Sequence, residues 1–103
     1  MSNVFSTLGI NHTHADTNEM VLTYSEVQTV VDHLKKTMQA LILGGDVLTA
    51  LGHYTYCNWY YEPDDTSPWE HQVTQSCNQT EQYIMRLKDP DTNKYILVLK
   101  EKG

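Results

Sequence analysis

Apolar residues recur every three to four positions from residue 24 to residue 43: Val27, Val30, Val31, Leu34, Met38, Leu41 and Ile42. That spacing is one face of an α-helix, with Thr29, Asp32, Lys35, Lys36 and Gln39 on the other face. Thr23, followed three residues later by Glu26, fits a capping box at the helix start. Gly44-Gly45 is expected to end the helix, because glycine accepts the left-handed conformation of a C-terminal cap. Asp46 then caps a short helical turn over 47–51, closed by Gly52.

From residue 53 the pattern changes to a period of two. The aromatic run HYTYCNWYY predicts a strand over 53–61. EPDDTSP (62–68) is a turn-rich connector. WEHQVTQSC places Trp69, His71, Val73 and Cys77 on one face and predicts a strand over 69–77. A turn at 78–80, a strand over 81–88, a DPDTN turn and a last apolar strand over 94–100 follow. Short connections make consecutive strands antiparallel neighbours. The expected fold is therefore α+β: one long amphipathic helix packed on a four-stranded antiparallel β-meander. A hairpin centred on Asp65 would set Trp59 opposite His71, Cys57 opposite Val73 and His53 opposite Cys77.

At 103 residues the chain reads as a single domain, 1–103. NHTHADTNE (11–19) is a loop, and residues 1–19 read as a mobile N-terminal segment. Within it Val4, Phe5, Leu8 and Ile10 either form a short strand or lie against the body. No window approaches a membrane span, and Met1–Ser6 has neither the basic nor the apolar region of a signal peptide. A cytoplasmic location is expected, with Cys57 and Cys77 as free thiols.

Seven basic and thirteen acidic residues give a net charge of −6, which disfavours direct nucleic-acid binding. The charge is uneven. Residues 62–81 carry Glu62, Asp64, Asp65, Glu70 and Glu81 with no Lys or Arg, whereas residues 82–103 carry five of the seven basic side chains. Such a distribution can steer a charged partner.

Catalytic and cofactor chemistries find little support. His12-Thr13-His14 with Asp16, His53, His71, Cys57 and Cys77 are metal-ligand types, but their spacing matches no zinc pattern. His53 and Cys77 lack the motif of an activated nucleophile. Gly44-Gly45-Asp46 follows a helix, whereas a phosphate loop precedes one. Glu62, Asp64, Asp65 and Glu70 crowd one turn with no cleft between them. No enzyme activity, metal or cofactor is expected.

The expected function is that of a non-enzymatic acidic protein-binding module. Tyr54, Tyr56, Trp59, Tyr60 and Trp69 lie beside Glu62, Asp64, Asp65 and Glu70. Tyr and Trp are favoured at interface hot spots, and surrounding acids suit a basic partner. These nine residues are the expected partner-binding set, docking on the basic, nucleic-acid-binding surface of a larger protein as an inhibitor. Compact acidic inhibitors of viral and mobile-element counter-defence offer an analogy of style. Three alternatives stand beside this one. The aromatic sheet face would stack a nucleotide-like small ligand, with Arg86 or Lys88 holding its anion. His12 and His14 would bind a metal. The aromatic face or the edge of strand 94–100 would form a homodimer.

Overall fold

The computed structural model describes residues 4–102. It is an α+β fold in which two helices pack on one four-stranded antiparallel sheet. The elements are α1 (Val4–Thr7), β1 (Leu22–Thr23), α2 (Tyr24–Thr37), β2 (Ala40–Leu48), β3 (Tyr54–Tyr60), α3 (Trp69–Met85) and β4 (Lys94–Glu101). The sheet order is β1-β4-β2-β3, so the last strand inserts between the first two rather than extending a meander.

The start of α2 follows the sequence. The Thr23 side chain accepts the Glu26 N–H at 3.1 Å, and Glu26 Oε1 accepts the Thr23 N–H at 2.9 Å. Val27, Val30, Val31 and Leu34 are the buried stripe. The helix ends earlier than its periodicity predicts. Met38 takes the left-handed conformation at φ 55°, and its N–H bonds Leu34 O at 2.8 Å. Residues 40–48 are then a strand, not a helix end and a second turn. β2 lies between β3 and β4, and Ala40, Leu41 and Ile42 at its start are fully buried. Gly44 and Gly45 sit in mid-strand because no side chain fits there. A Cβ on Gly44 would collide with the Trp59 carbonyl, and one on Gly45 with the Ile96 carbonyl and the Trp59 indole.

The larger departure is α3. Residues 69–85 form one helix where the alternation predicts two strands and a turn. The hairpin pairing of 53–61 with 69–77 therefore does not exist. Trp59, Cys57 and His53 are not opposite His71, Val73 and Cys77. The buried face of α3 is Gln72, Val73, Ser76, Cys77, Thr80 and Ile84, which is helical spacing. Half of that stripe is polar, so it does not register as a hydrophobic period. Each polar member has a partner. Ser76 Oγ accepts the Ile42 N–H at 3.0 Å and donates to Val73 O. Gln72 Nε2 donates to Ser67 O, and Thr80 Oγ1 accepts the Trp59 indole N–H. The Ser76 bond sits where β2 shifts register against β4, between Ile42 and Gly44.

The two long helices lie side by side on one sheet face, joined by a Lys35–Glu81 ion pair at 2.8 Å. Their core also takes Leu41, Val47, Trp59, Tyr95 and Leu97 from the sheet. The N-terminal segment is part of this body. Val4 and Ile10 are buried, with Phe5 and Leu8 packed against the same core. Residues 12–21 form a small hairpin bridged at Thr13 and Met20. Residues 1–3 lie outside the described residues. Among the described residues, no helix is long and apolar enough to cross a membrane.

Candidate interaction surface

Residues 12–20 and the turn after β2 meet over one end of the second sheet face. His14 Nε2 donates to Gly52 O at 3.0 Å, while His14 Nδ1 accepts the Asp16 N–H at 3.2 Å. The same ring lies 5.5 Å from that of Tyr54. Leu48 and Ile96 alternate with core-facing neighbours yet are buried, so this end of the face is covered. A cleft of about 490 Å³ opens beside the hairpin, lined among others by His12, Asp16, Glu26, Leu51, His53 and Lys94. Among the described residues no group of three His, Cys, Asp or Glu side chains is arranged to hold a metal.

The other end of that face is open. A hollow of about 300 Å³ is lined by Leu43, Gly44, Gly45, Asp46, Asn58, Trp59, Tyr60 and Val98. Tyr60 is 65% exposed, and Val98, across β2 from it, is 45% exposed. Asp46 is half-buried and has no ion-pair partner among the described residues. Burial, and then the nearby Glu19 carboxylate, push its pKa above the ordinary carboxylate value.

β3 is one long free edge of the sheet. Its register against β2 is broken between Asn58 and Tyr54. Tyr56 sits in the break at φ 66°, and its side chain is 91% exposed. The irregular turn is stitched by Thr55, whose hydroxyl donates to Val47 O at 2.8 Å and accepts the Cys57 N–H. The left-handed region is uncommon for a bulky aromatic.

The nine expected partner-binding residues divide. Tyr54, Tyr56 and Tyr60 are exposed on β3, and Glu62, Asp65 and Glu70 are exposed beyond it. Trp59 is buried: it is 7% exposed, donates to Thr80 Oγ1 at 3.1 Å and stacks on Tyr83 with ring centroids 5.1 Å apart. It is core. Trp69 is half-buried, and its indole N–H donates to Met38 O at 2.6 Å, closing the end of α2. Asp64 is exposed, but its carboxylate is occupied. Oδ1 accepts from the Thr66 hydroxyl and N–H, and Oδ2 accepts from Ser67 Oγ. These bonds hold its pKa below the usual carboxylate value.

Other expectations are redirected by the fold. Arg86 and Lys88 follow the end of α3 and do not line the hollow beside the tyrosines. β1 covers β4 only at Lys94 and Tyr95, so β3 is one long free edge and the rest of β4 has a strand neighbour on one side only. Asp46, Asn58 and Val98 were not expected at a surface site. Asn58 and Val98 fall inside predicted strands, where only the strand order reveals which face they take.

The chain is thus a small α+β domain with an open, aromatic-edged sheet face. The family model described as Immunity protein 40 matches residues 5–100, and the chain belongs to that family. No curated protein and no solved structure matches it.

Proposed function

We propose that this protein is a non-catalytic inhibitor that binds a toxin protein and blocks it, using the free edge and open face of its sheet. The observation that carries the surface assignment is Tyr56, a bulky aromatic held out on a left-handed backbone at the edge of β3. Strain of that kind persists where the surrounding structure imposes it, and such positions cluster at functional sites. Tyr54 and Tyr60 extend the aromatic surface, and Glu62, Asp65 and Glu70 supply negative charge at its border. Aromatic anchors with an acidic rim favour a basic partner surface. Family membership supports an immunity role, in which the larger partner is the toxin. Trp59, Trp69 and Asp64 act as the framework of the surface rather than as contacts.

Site-specific photocrosslinking tests this reading. A benzophenone amino acid is placed at Tyr56, at Tyr60 and, as a control, at Lys36 on the solvent side of α2. Proteins captured from native-source lysate are identified, then expressed alone and together with this chain. The expected result is one protein captured from positions 56 and 60 but not 36. It arrests growth alone and is harmless when co-expressed. A captured protein that is harmless on its own, or capture only from position 36, rejects the assignment.

A further inference from the structure

We propose that the hollow on the open sheet face receives a basic side chain, arginine or lysine, of the toxin, with its aliphatic stem against Tyr60 and Val98 and its cation at Asp46. The proposal rests on the toxin-binding reading and names the chemistry of the central contact.

The shape of the hollow follows from the backbone. Gly44 has no side chain because β3 passes too close for a Cβ, so the floor is bare main chain. Tyr60 and Val98 stand exposed beside it, and Asn58 and Asp46 are the polar side chains of the lining. The stem of a lysine or arginine covers apolar surface while its head keeps a charged partner. An aromatic ring beside the path adds cation–π attraction.

The charge selects the occupant. No Lys or Arg lines the hollow. Asp46 is half-buried without a counter-ion among the described residues, and the charge close enough to affect it is another carboxylate, Glu19. The Glu19 carboxylate repels the Asp46 charge in the free protein, and an incoming cation offsets that repulsion. An anionic or purely apolar group would leave Asp46 desolvated and unpaired. A second copy of this chain is a poor occupant for the same reason. A two-fold interface over this hollow would bring Asp46 toward its own copy.

Two arms test the proposal. In the first, ¹⁵N-labelled protein is titrated with acetyl-Gly-Arg-Gly-amide, with the Gln peptide as a control. The expected result is arginine-specific shifts at the amides of Gly44, Asn58 and Val98 that vanish in Asp46→Asn. Shifts confined to residues 62–70, or undiminished in Asp46→Asn, overturn it. In the second arm, binding and neutralisation of the toxin captured through Tyr56 are measured. Asp46→Asn should weaken binding by about tenfold or more and Asp46→Lys by about a hundredfold or more. Asp91→Asn, in an exposed turn outside the hollow, should change neither, and urea melts verify that each variant is folded. Equal neutralisation by wild type, Asp46→Asn and Asp46→Lys overturns the hollow and leaves the toxin reading standing. If no captured protein is toxic, both fall. Self-association that Val98→Lys abolishes also overturns the proposal, because a second copy then owns the face.

Discussion

Tyr56 offers a test in which stability and binding should move in opposite directions. Its backbone sits at φ 66°, where an L-residue pays roughly 1–2 kcal/mol for the approach of Cβ to the carbonyl. Glycine escapes that penalty but loses more chain entropy on folding, about 0.5–1 kcal/mol relative to alanine. The ring is 91% exposed, so removing it forfeits only a few tenths of a kcal/mol from the roughly 1.5–3 that full burial provides. Tyr56→Gly should therefore be as stable as wild type or more stable by up to about 1 kcal/mol. The sharper quantity is the difference between Tyr56→Gly and Tyr56→Ala, since both lack the ring and only one keeps the Cβ. At an ordinary position glycine is the weaker of the two. Here the sign should reverse, read as a higher urea midpoint and a melting temperature up to about 5 °C higher for the glycine variant. Both variants should bind the toxin more weakly than wild type. A glycine variant less stable than the alanine variant would refute the claim that the backbone is strained, and undiminished toxin binding by both would remove Tyr56 from the interface.

Further predictions concern the framework and its charges. Ser76→Ala leaves the buried Ile42 N–H without its acceptor and should cost about 1–3 kcal/mol in urea unfolding, whereas Ser76→Thr should cost less if its hydroxyl reaches the same N–H. Cys57 is exposed and should react with a thiol-specific disulfide reagent in the native protein. Burial pushes the Cys77 thiol up to about 11, so Cys77 should react only on unfolding; rapid native labelling of both thiols would contradict that placement. The two shifted aspartates pull stability in opposite directions with pH. Asp64 is held below its ordinary 3.8 by Thr66 and then Ser67, so its contribution is present above 3.8 and is lost as pH falls through the lower folded value. Asp64→Ala should flatten that acid limb. Asp46 is raised by burial and Glu19, so the folded state favours its protonated form and gains stability as pH falls through the raised value. Asp46→Asn should thus stabilise the free protein at neutral pH, and a destabilised variant would show that Asp46 is satisfied within the chain.

The parts of the fold that rest on one local signal were legible in the sequence: the capping box at Thr23 and Glu26, the stripe from Val27 to Leu34, and the strands at 54–60 and 94–101. Two other regions carry competing signals. Met38, Leu41 and Ile42 continue the helical spacing by coincidence, because a central strand buries consecutive residues on both faces and so leaves no alternation to read. In α3 the helical stripe includes Gln72, Ser76 and Thr80, which are buried for their hydrogen bonds and do not count as apolar. The chance alternation of Trp69, His71, Val73 and Cys77 then outweighs it. One usable sign was present: after Pro68 no glycine or proline interrupts the chain until Pro90. The tyrosines and acids of the candidate surface were legible by residue type. Which of the aromatics are buried was not, because that depends on which side of β3 the helices take.

The distribution of satisfied and unsatisfied features separates the two faces of this sheet. Every buried polar side-chain atom among the described residues has a partner, down to the Ser76 hydroxyl on the helix side at the irregularity in β2. The cost of the bare glycines is met there by the Trp59 indole lying over Gly45. On the other side Val98 faces solvent and a half-buried aspartate lies near a second carboxylate, and at the adjoining edge a tyrosine occupies a left-handed backbone. The remaining non-glycine residues with positive φ have local reasons. Asn18 and Asp89 lie in turns, and Met38 ends α2 with its carbonyl held by Trp69. A sequence that resolves its conflicts on one face and leaves several on the other has a use for the second face that folding alone does not explain. Each of the three exceptions is relieved or exploited by the same event: a basic, close-fitting protein surface covers Val98, neutralises Asp46 and packs against Tyr56. That convergence makes the open face, rather than the acidic connector at 62–70, the centre of the proposed interface.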